Sequence, residues 1–567
     1  MKWALKKNPE IPDELKTVSL NPITLRLMLQ RGFFSKEQIK KFLAARYEDL
    51  HSPDQLSGIS EAIERVGKAR DEKESVTIYG DYDADGITST LLLKEALEKI
   101  GISSSTYIPD RNKEGYGLNK EAIDFIKKEY RTKLLITVDC GISNREEIKY
   151  ARKKGMDVII TDHHSLPKVL PQKCILINPK MPNQEYPFQD LAGVGITFKL
   201  CQALWEKFVP KEIDQLKWLL DLVAIGTVAD CVPLVDENRI FAKFGLVVLQ
   251  KTKRVGIQEI IKTARLNISE TNPPSAENIA FQIGPRFNAA GRMDHADLTL
   301  NLLLEKDAAK ARVAALELEA KNSERQKMTQ TIFEEVKSTL KENENYKLII
   351  RKGENWPLGI LGIVAGKIAE EYHCPTFILR EGSKIVEGSG RSIDVFNLIE
   401  AVSKLDSLLE KYGGHSQAMG IKVKPGNLAR FEKDLLEIIE RSYDENMWGK
   451  RIQIDAEIKP QEIDWDIVSE IKKFEPFGEG NREPVFLARN LVVRESRQVG
   501  NGQKHLKFVF GSDDSEKKSF EGIFFKGGER CSEFLVGSRI SVVCNLRSNE
   551  WNGNHKIEMN IIDIKKD

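Results

Sequence analysis

Along this chain the spacing of apolar residues changes character several times, and each change marks an element or a domain edge. Residues 1–70 carry apolar positions at helical intervals, Ile23 with Leu27, then Ile39 with Phe42 and Leu43. From Val76 the texture shifts. Val76–Tyr79 is a short β-rich run, and Ile87 to Ile100 returns to helical periodicity. Asn119 is placed to cap a helix carrying Ile123, Ile126 and Tyr130, ahead of a second strand at Leu134–Val138. Asn144 to Lys154 reads as a helix with Gly155 past its end, and Val158–Thr161 as a third strand. Strands alternating with helices of this length predict a parallel sheet with helices on both faces.

Helices are predicted to dominate from Gly193 to about Gln250 and again after Ile279. Ala308 to about Lys341 is rich in Ala, Glu, Lys and Gln, and predicts one extended connecting helix. A second α/β region runs from Leu348–Ile350 to about Tyr443. After Arg451 the pattern is all-β: Ile452–Ile458, Val485–Val493, Leu506–Phe510, Phe520–Phe525, Ile540–Val543 and Ile557–Ile564 fit a small barrel such as an OB-fold. The expected architecture is therefore a helical segment (1–70), a parallel-sheet α/β domain (71–300), a connecting helix (301–345), a second α/β domain (346–445) and a C-terminal all-β, OB-like barrel (450–567). The chain shows no internal repeat and no long low-complexity tract.

Composition adds limits rather than direction. A chain of 567 residues exceeds what one core organises, and 41% hydrophobic with 30% charged residues is ordinary for a globular protein. A net charge of +1 requires any basic groove to be local. The seven cysteines form no CxxC pair, which predicts reduced thiols, mostly small core residues, Cys140 and Cys231 included. The first residues carry charge without an apolar stretch behind it, and no segment approaches the ~20 apolar residues of a membrane span. A cytoplasmic protein without membrane partners is expected.

The chemistry gathers where the three predicted strands end. Val76–Tyr79 runs into Gly80-Asp81-Tyr82-Asp83-Ala84-Asp85-Gly86, the second strand into Asp139-Cys140-Gly141, and the third into Asp162-His163-His164. Open parallel sheets bind ligands outside the carboxyl ends of their strands. One carboxylate after a strand is usually a helix cap; three strands delivering carboxylates and imidazoles to one edge point to a metal site. Carboxylates with imidazole and no thiolate suit Mn²⁺ or Mg²⁺, and so many like charges need cations to coexist. Two such ions ~3.5–4 Å apart can activate a water and steady a leaving oxygen.

These motifs, with Gly226-Thr-Val-Ala-Asp230-Cys-Val-Pro-Leu234, resemble the DHH phosphoesterase superfamily. Ile108-Pro-Asp-Arg111, Glu114-Gly-Tyr-Gly117, Gly284 to Arg292, Gly388-Ser-Gly-Arg-Ser392, Gly413 to Gly420 and Phe474 to Asn481 resemble in particular its RecJ branch of single-strand-specific 5′→3′ exonucleases, over roughly residues 70–567. The resemblance implies hydrolysis of DNA to 5′-mononucleotides with two divalent cations, in recombination and repair. It implies one cation at Asp83 and its neighbours, a second at Asp85, His163 and Asp230, and Asp139 shared between them. His164 would meet the scissile phosphate or a metal. Asp81 is expected to orient the loop, although it could ligate, and Asp162 to hold a histidine in its tautomer.

Arg111, Arg286, Arg292 and Arg391 each lie in a segment rich in glycine, proline or small residues, where a guanidinium can approach a phosphate closely. Gly388 to Ser392 is expected to add backbone N–H groups and the hydroxyls of Ser389 and Ser392 around Arg391. The resemblance places Ser389, Arg391 and Arg111 at the 5′-terminal phosphate, and Arg286 with Asn288 at the scissile side. Gly413-Gly414-His415 is expected to open a helix at Ser416, exposing N–H donors to an anion. In the barrel Phe508, Phe510, Phe524, Phe525 and Trp551 are interleaved with Lys504, Lys507, Lys526 and Arg530; single-strand binding is assigned to the domain and to no particular aromatic. Single-strand-binding protein and a helicase are partners by resemblance alone. The rival readings are a DHH phosphoesterase for cyclic dinucleotides or short oligonucleotides, and a non-catalytic DNA-binding relative, in which the metal ligands would be incomplete whereas here all are present.

Overall fold

The computed structural model describes residues 2–111, 113–341, 344–444, 448–449, 451–512, 515–551 and 554–567. The chain divides into two compact units, one of residues 50–449 and one combining 1–49 with 450–567.

The larger unit begins with a five-stranded, all-parallel sheet: β1 (Val76–Tyr79), β2 (Ser104–Tyr107), β3 (Leu134–Val138), β4 (Asp157–Thr161) and β5 (Ile175–Ile177), in the spatial order β2-β1-β3-β4-β5. The three central strands are those expected from β-branched and aliphatic runs, and β1 and β3 are buried throughout. The edge strands were not foreseen. Ser104-Ser-Thr-Tyr107 is too polar to read as a strand, and β5 is only three residues long. Helices Ala84–Lys99, Lys120–Glu129 and Arg145–Lys153 make the crossovers, and Asn119 caps the second by accepting the Ala122 N–H at 2.7 Å. The chain departs from β1 toward β2 on one side and β3 on the other. This reversal opens a crevice at the carboxyl ends of β1 and β3, where open α/β sheets bind ligands.

Helices Gly193–Phe208, Leu220–Ala229 and Asp236–Gln250 follow as expected, then a π-helical turn, Ile279–Ile283, running into helix Gly284–Met293. The connecting helix spans Ala308–Ser338, started by the Asp307 carboxylate on the Ala309 and Lys310 N–H groups. The second sheet contains β6 (Ile349–Gly353), β7 (Thr376–Arg380), β8 (Val386–Arg391), β9 (Leu409–Gly414) and β10 (Ala418–Val423), ordered β9-β10-β8-β7-β6; only the β6–β7 pair is parallel.

The smaller unit takes in the first part of the segment 1–70, whose short helices Pro22–Gln30 and Lys36–Ala44 are present as expected. Lys2–Leu5 is a strand paired in parallel with Arg451–Ile454, and Leu25, Leu27, Met28 and Phe42 belong to the same core as Phe486, Phe508 and Phe510. Residues 59–71, by contrast, form a helix of the larger unit. The barrel itself comprises β11 (Phe486–Val499), β12 (His505–Ser512), β13 (Ser515–Phe524), β14 (Arg539–Trp551) and β15 (Asn554–Lys566); β11 closes on β14, making a five-stranded barrel. A helix at Trp465–Lys472, which the all-β reading missed, packs into its core through Ile467, Val468 and Ile471. Among the described residues no helix is long and apolar enough to cross a membrane.

Candidate active site

The residues after β1, β3 and β4 converge with Asp230. Asp83 caps helix Ala84–Lys99, its Oδ1 accepting the Asp85 and Gly86 N–H groups at 3.0 Å each, so the helix-cap reading and the cluster reading hold for one carboxylate. Asp85, one turn into the helix and buried, accepts the Gly193 and Val194 N–H groups at 2.7 Å. Those two amides open helix Gly193–Phe208, so a positive helix end steadies the carboxylate. Asp139 leaves β3 with φ +60°, a conformation that Asp tolerates better than most residues. Asp230 ends helix Leu220–Ala229.

His163 Nε2 lies 3.3 Å from Asp139 Oδ1 and 3.6 Å from Asp230 Oδ2. Ligand-competent atoms fall into three sets, each within 4.8 Å of one another: Asp81, Asp83 and Asp139; Asp85, His163 and Asp230; Asp139, His163 and His164. The first set draws Asp81 into the cluster itself, where the sequence reading favoured an orienting role. The buried atoms Asp81 Oδ1, Asp139 Oδ1 and His163 Nε2 make no hydrogen bond among the described residues, which is what divalent cations would require of them. The residues present therefore fit Mn²⁺ or Mg²⁺.

Electrostatics say the same. Burial, then the neighbouring carboxylates, push Asp81, Asp139 and Asp230 well above the usual carboxyl range, and burial with the field of Asp83 raises Asp85 to about 7. Burial and the adjacent His164 hold His163 down at about 3, a neutral imidazole ready to ligate. His164 moves the other way. Burial opposes its charge, but the Asp162 carboxylate, 2.7 Å from Nδ1, raises it. Asp162 also accepts the His164 N–H at 3.0 Å and the Ile142 N–H at 2.9 Å, so it fixes the imidazole as expected.

The second cluster is cationic. Arg111 stacks over the Tyr82 ring at 4.9 Å, Arg292 Nη1 donates to the Gly359 carbonyl at 2.8 Å, and Arg391 Nη1 to the Gly390 carbonyl at 2.9 Å. Burial, then the fields of Arg111 and Arg325, depress Arg292 to about 9; Arg391 is lowered by burial and by Arg111. Among the described residues none of Arg111, Arg292 and Arg391 forms an ion pair. Arg286 differs, because Glu319 of the connecting helix pairs with its Nε and the Gln282 carbonyl accepts from Nη1 at 2.7 Å. Asn288 Oδ1 accepts the Ala84 N–H at 2.7 Å, bracing the β1 loop from the Gly284–Met293 helix.

Three local expectations need correction. Gly388–Arg391 lies in β8 between β7 and β10, so its backbone groups serve the sheet ladder rather than an anion, and the Ser392 hydroxyl donates to the Phe396 carbonyl at 2.7 Å; Ser389 is half-buried on the same strand. Gly413-Gly414-His415 does not open a helix. It ends β9 in a tight hairpin to β10, closed by the His415 N–H on the Ala418 carbonyl at 2.7 Å. His415 lies in the field of the site: burial, then the positive fields of His164 and Lys180, lower it. Cys140 is buried as expected, whereas Cys231 is exposed, at φ +60°.

Sequence reasoning missed several supports. Tyr116 places its hydroxyl 3.1 Å from His164 Nδ1. Lys180 Nζ donates to the His163 carbonyl at 2.6 Å and Asn178 Nδ2 to the His164 carbonyl at 3.0 Å, so both carbonyls of the histidine pair are gripped from the segment after β5. Gly193 stands where a Cβ would lie 2.5 Å from Asp139 Oδ1. The signal available was only the glycine spacing of Ala192-Gly193-Val194-Gly195 ahead of a helix.

The model described as the DHH family, N-terminal domain, matches residues 75–227, the DHHA1 domain residues 345–441, and the RecJ OB domain residues 454–563. The chain is 37% identical over 573 residues to the single-stranded-DNA-specific exonuclease RecJ of Bacillus subtilis (strain 168), covering 99% of this chain and 70% of that protein. It is 31% identical over 574 residues to the protein of that name from Haemophilus influenzae, covering 98% of each. The structure of RecJ from Thermus thermophilus in complex with Mn²⁺ matches with TM-score 0.83 at 27% identity, over 100% of this chain and 80% of that one. Its Mg²⁺ complex gives 0.77 at 26%, over 100% and 78%.

Proposed function

Because the chain belongs to the RecJ family of single-stranded-DNA-specific exonucleases, we propose that it hydrolyses single-stranded DNA from the 5′ end, releasing 5′-mononucleotides, in recombination and repair. One observation carries the reading. A buried carboxylate–imidazole cluster with unsatisfied ligand atoms lies in the field of a half-buried arginine cluster that forms no ion pair among the described residues, as the influence of Arg111 on Asp81 and of Asp83 on Arg292 records. A DNA phosphate with its divalent cations completes both.

In this reading Asp81, Asp83 and Asp139 would hold one cation, and Asp85, His163 and Asp230 the other, with Asp139 available to either. When bound, the two ions supply an activated water and neutralise charge on the phosphate. The remaining work falls to the chain. Arg111 and Arg391, with Ser389, bind the 5′-terminal phosphate, which fixes the direction of attack; Arg292 extends that cradle. Arg286 and Asn288 stand on the scissile side, Arg286 positioned by Glu319. His164, charged through Asp162, donates to a non-bridging oxygen as negative charge builds there, and His415 adds a donor from the second sheet. Single-strand-binding protein and a helicase are proposed partners, and the cytoplasm the compartment.

The test is digestion of 5′-phosphorylated, 5′-blocked and duplex DNA with Mn²⁺ by wild type and Asp139→Ala. Wild type should degrade the 5′-phosphorylated single strand and spare the duplex, while the variant loses at least ~1,000-fold in rate, as expected when a residue that both holds charge and organises the centre is removed. Single strands degraded by the variant at the wild-type rate would remove the metal site from the mechanism.

A further inference from the structure

The cations of the larger unit do not all belong to the arginine cluster. Asp81, raised by burial and by Asp83, is eased by Arg111, and Arg292, depressed by burial and by Arg111, is lifted by Asp83. The arginines thus meet the ligand set Asp81, Asp83 and Asp139. The other set, Asp85, His163 and Asp230, has a cation of its own. Asp230, pushed up by burial and by the Asp85 carboxylate, is eased back by the charge of Lys180. His163 and His415, each lowered first by burial and by His164, are lowered further by the same ammonium. Lys180 therefore acts on the second ligand set and on the hairpin that carries His415.

The sequence builds this lysine into a fixed turn. β5 ends at Ile177 and runs into Asn178-Pro179-Lys180. Pro179 fixes its own φ and disfavours helical backbone at Asn178, so the chain leaves the sheet along a narrow choice of paths. Asn178 is fully buried and uses both ends of its amide: Nδ2 donates to the His164 carbonyl at 3.0 Å, and Oδ1 accepts the Lys180 N–H at 2.8 Å. The half-buried Lys180 side chain then gives one N–H to the His163 carbonyl at 2.6 Å. An ammonium has three donors. Among the described residues Lys180 Nζ makes no other hydrogen bond and no ion pair. A positioned charge is left with two N–H groups to offer, and a side chain held this way loses little entropy when it binds.

Gripping a carbonyl does not call for a charge, since Asn178 does the same to His164 with a neutral amide. The carboxylates account for the charge only while they are ionised and bare. Divalent cations on them would leave Lys180 facing like charge, and a partly buried ammonium is costly without an anion. A DNA strand carries anions at regular intervals. With its 5′-terminal phosphate at Arg111 and Arg391 and its scissile phosphate at the two ligand sets, the strand continues past the second set, toward Lys180 and His415.

We propose that Lys180, with His415, forms a subsite for the phosphate on the 3′ side of the scissile one, so that the shortest substrate to use every contact is a 5′-phosphorylated trinucleotide. A lysine meets a phosphate as a point charge rather than a fork, which suits a group that is held and not attacked. The subsite deepens the proposed function and rests on it, since that reading sets the direction of the strand.

The test compares 5′-phosphorylated di- and trithymidylate with Mn²⁺, and a trinucleotide whose last linkage is an uncharged methylphosphonate. Wild type should cleave the trinucleotide with kcat/KM roughly 10-fold above the dinucleotide, as one charge-assisted contact implies. The methylphosphonate should forfeit that gain, through KM. In Lys180→Met the three substrates should be cleaved alike whatever the absolute rate, because a lost grip on the His163 carbonyl affects each equally. Lys180→Arg should keep the ranking, and His415→Ala should narrow it. A second readout needs no catalysis. In EDTA, anisotropy of a labelled 5′-phosphorylated oligothymidylate should give a slope of log K against log salt smaller by ~0.7 in Lys180→Met. A methylphosphonate that costs wild type and Lys180→Met the same factor, with an unchanged salt slope, overturns the subsite and leaves Lys180 a counter-charge to the carboxylates. Wild type that cleaves none of the three overturns the proposed function instead, and the salt slope then decides the subsite alone.

Discussion

Two clusters of like charge sit in the larger unit, and they respond differently to being buried without partners. The carboxylates can escape by taking up protons, which is what a value of about 7 for Asp85 and the upward shifts of Asp139 and Asp230 mean. The guanidiniums cannot. Even depressed to about 9, Arg292 stays charged at neutral pH, and Arg391 and Arg111 beside it repel it. The acidic cluster is therefore a site whose emptiness protons can mask, and the arginine cluster one whose charge only an anion relieves. Proton competition should weaken Mn²⁺ binding as pH falls toward and below about 7, whereas sulfate binding to the arginines should stay level across that window. Titration calorimetry of each ion at several pH values checks both, and parallel slopes would erase the distinction.

Geometry breaks the comparison most sharply at Gly193. Its missing Cβ leaves room for Asp139, and its N–H holds Asp85. Gly193→Ala pushes both carboxylates at once without touching an arginine. Displacements near 1 Å cost about 100-fold in rate, so cleavage should fall by that order and Mn²⁺ affinity with it, while sulfate affinity stays. Equal loss at both clusters would show that the helix start, not the carboxylates, was disturbed.

Arg391 offers the converse. Arg391→Met keeps the stem and removes the charge, and one charge-assisted hydrogen bond to a phosphate is worth ~1.5–3 kcal/mol, so preference for a 5′-phosphate over a 5′-hydroxyl end should drop roughly 10-fold or more. Mn²⁺ binding should be unaffected. A selectivity that survives the substitution would move the terminal phosphate away from β8.

How much of this was legible depended on whether the signal was local. The β1, β3 and β4 strands with their trailing Asp81, Asp83, Asp85, Asp139 and His163 were readable because a buried parallel strand is a continuous apolar run and its polar successor stands out. The arginine cluster was legible as a list and not as a place. Arg111, Arg292 and Arg391 come from segments 181 and 99 residues apart in the chain, and no periodicity says that they meet. Gly388–Ser392 and Gly413–His415 were misread because glycine-rich segments look like anion loops, whereas here small residues let β8 and β10 pass close to their neighbours. The Lys2–Leu5 pairing with Arg451–Ile454 was invisible for a simpler reason: a four-residue strand has no pattern of its own, and its partner lies at the other end of the chain.

The smallest expected effect concerns stability, and it carries a sign that separates the clusters again. In an unfolded chain Asp85 titrates near its ordinary value of about 4; folded and without metal it titrates at about 7, raised by burial and by Asp83. Between those values the folded chain binds a proton that the unfolded chain does not, so the contribution of this group to stability falls as pH rises through the window and is flat above it. Asp139, also raised by burial and by the Asp85 carboxylate, adds a contribution of the same sign. In EDTA the chain should therefore melt about a degree or two lower near pH 8 than near pH 5.5, by the usual conversion of a ~1 kcal/mol change into melting temperature for a unit this large. Mn²⁺ reverses the slope, since binding the ion requires the ionised form. Asp85→Asn replaces the carboxylate with a neutral group of the same shape, and should flatten the metal-free profile while abolishing the Mn²⁺ gain. Arg391→Met leaves the slope unchanged, because its charge does not titrate in that range. If metal-free wild type melts at one temperature at both pH values, the carboxylates are not held apart from solvent as their burial implies, and the contrast between a maskable and an unmaskable cluster fails.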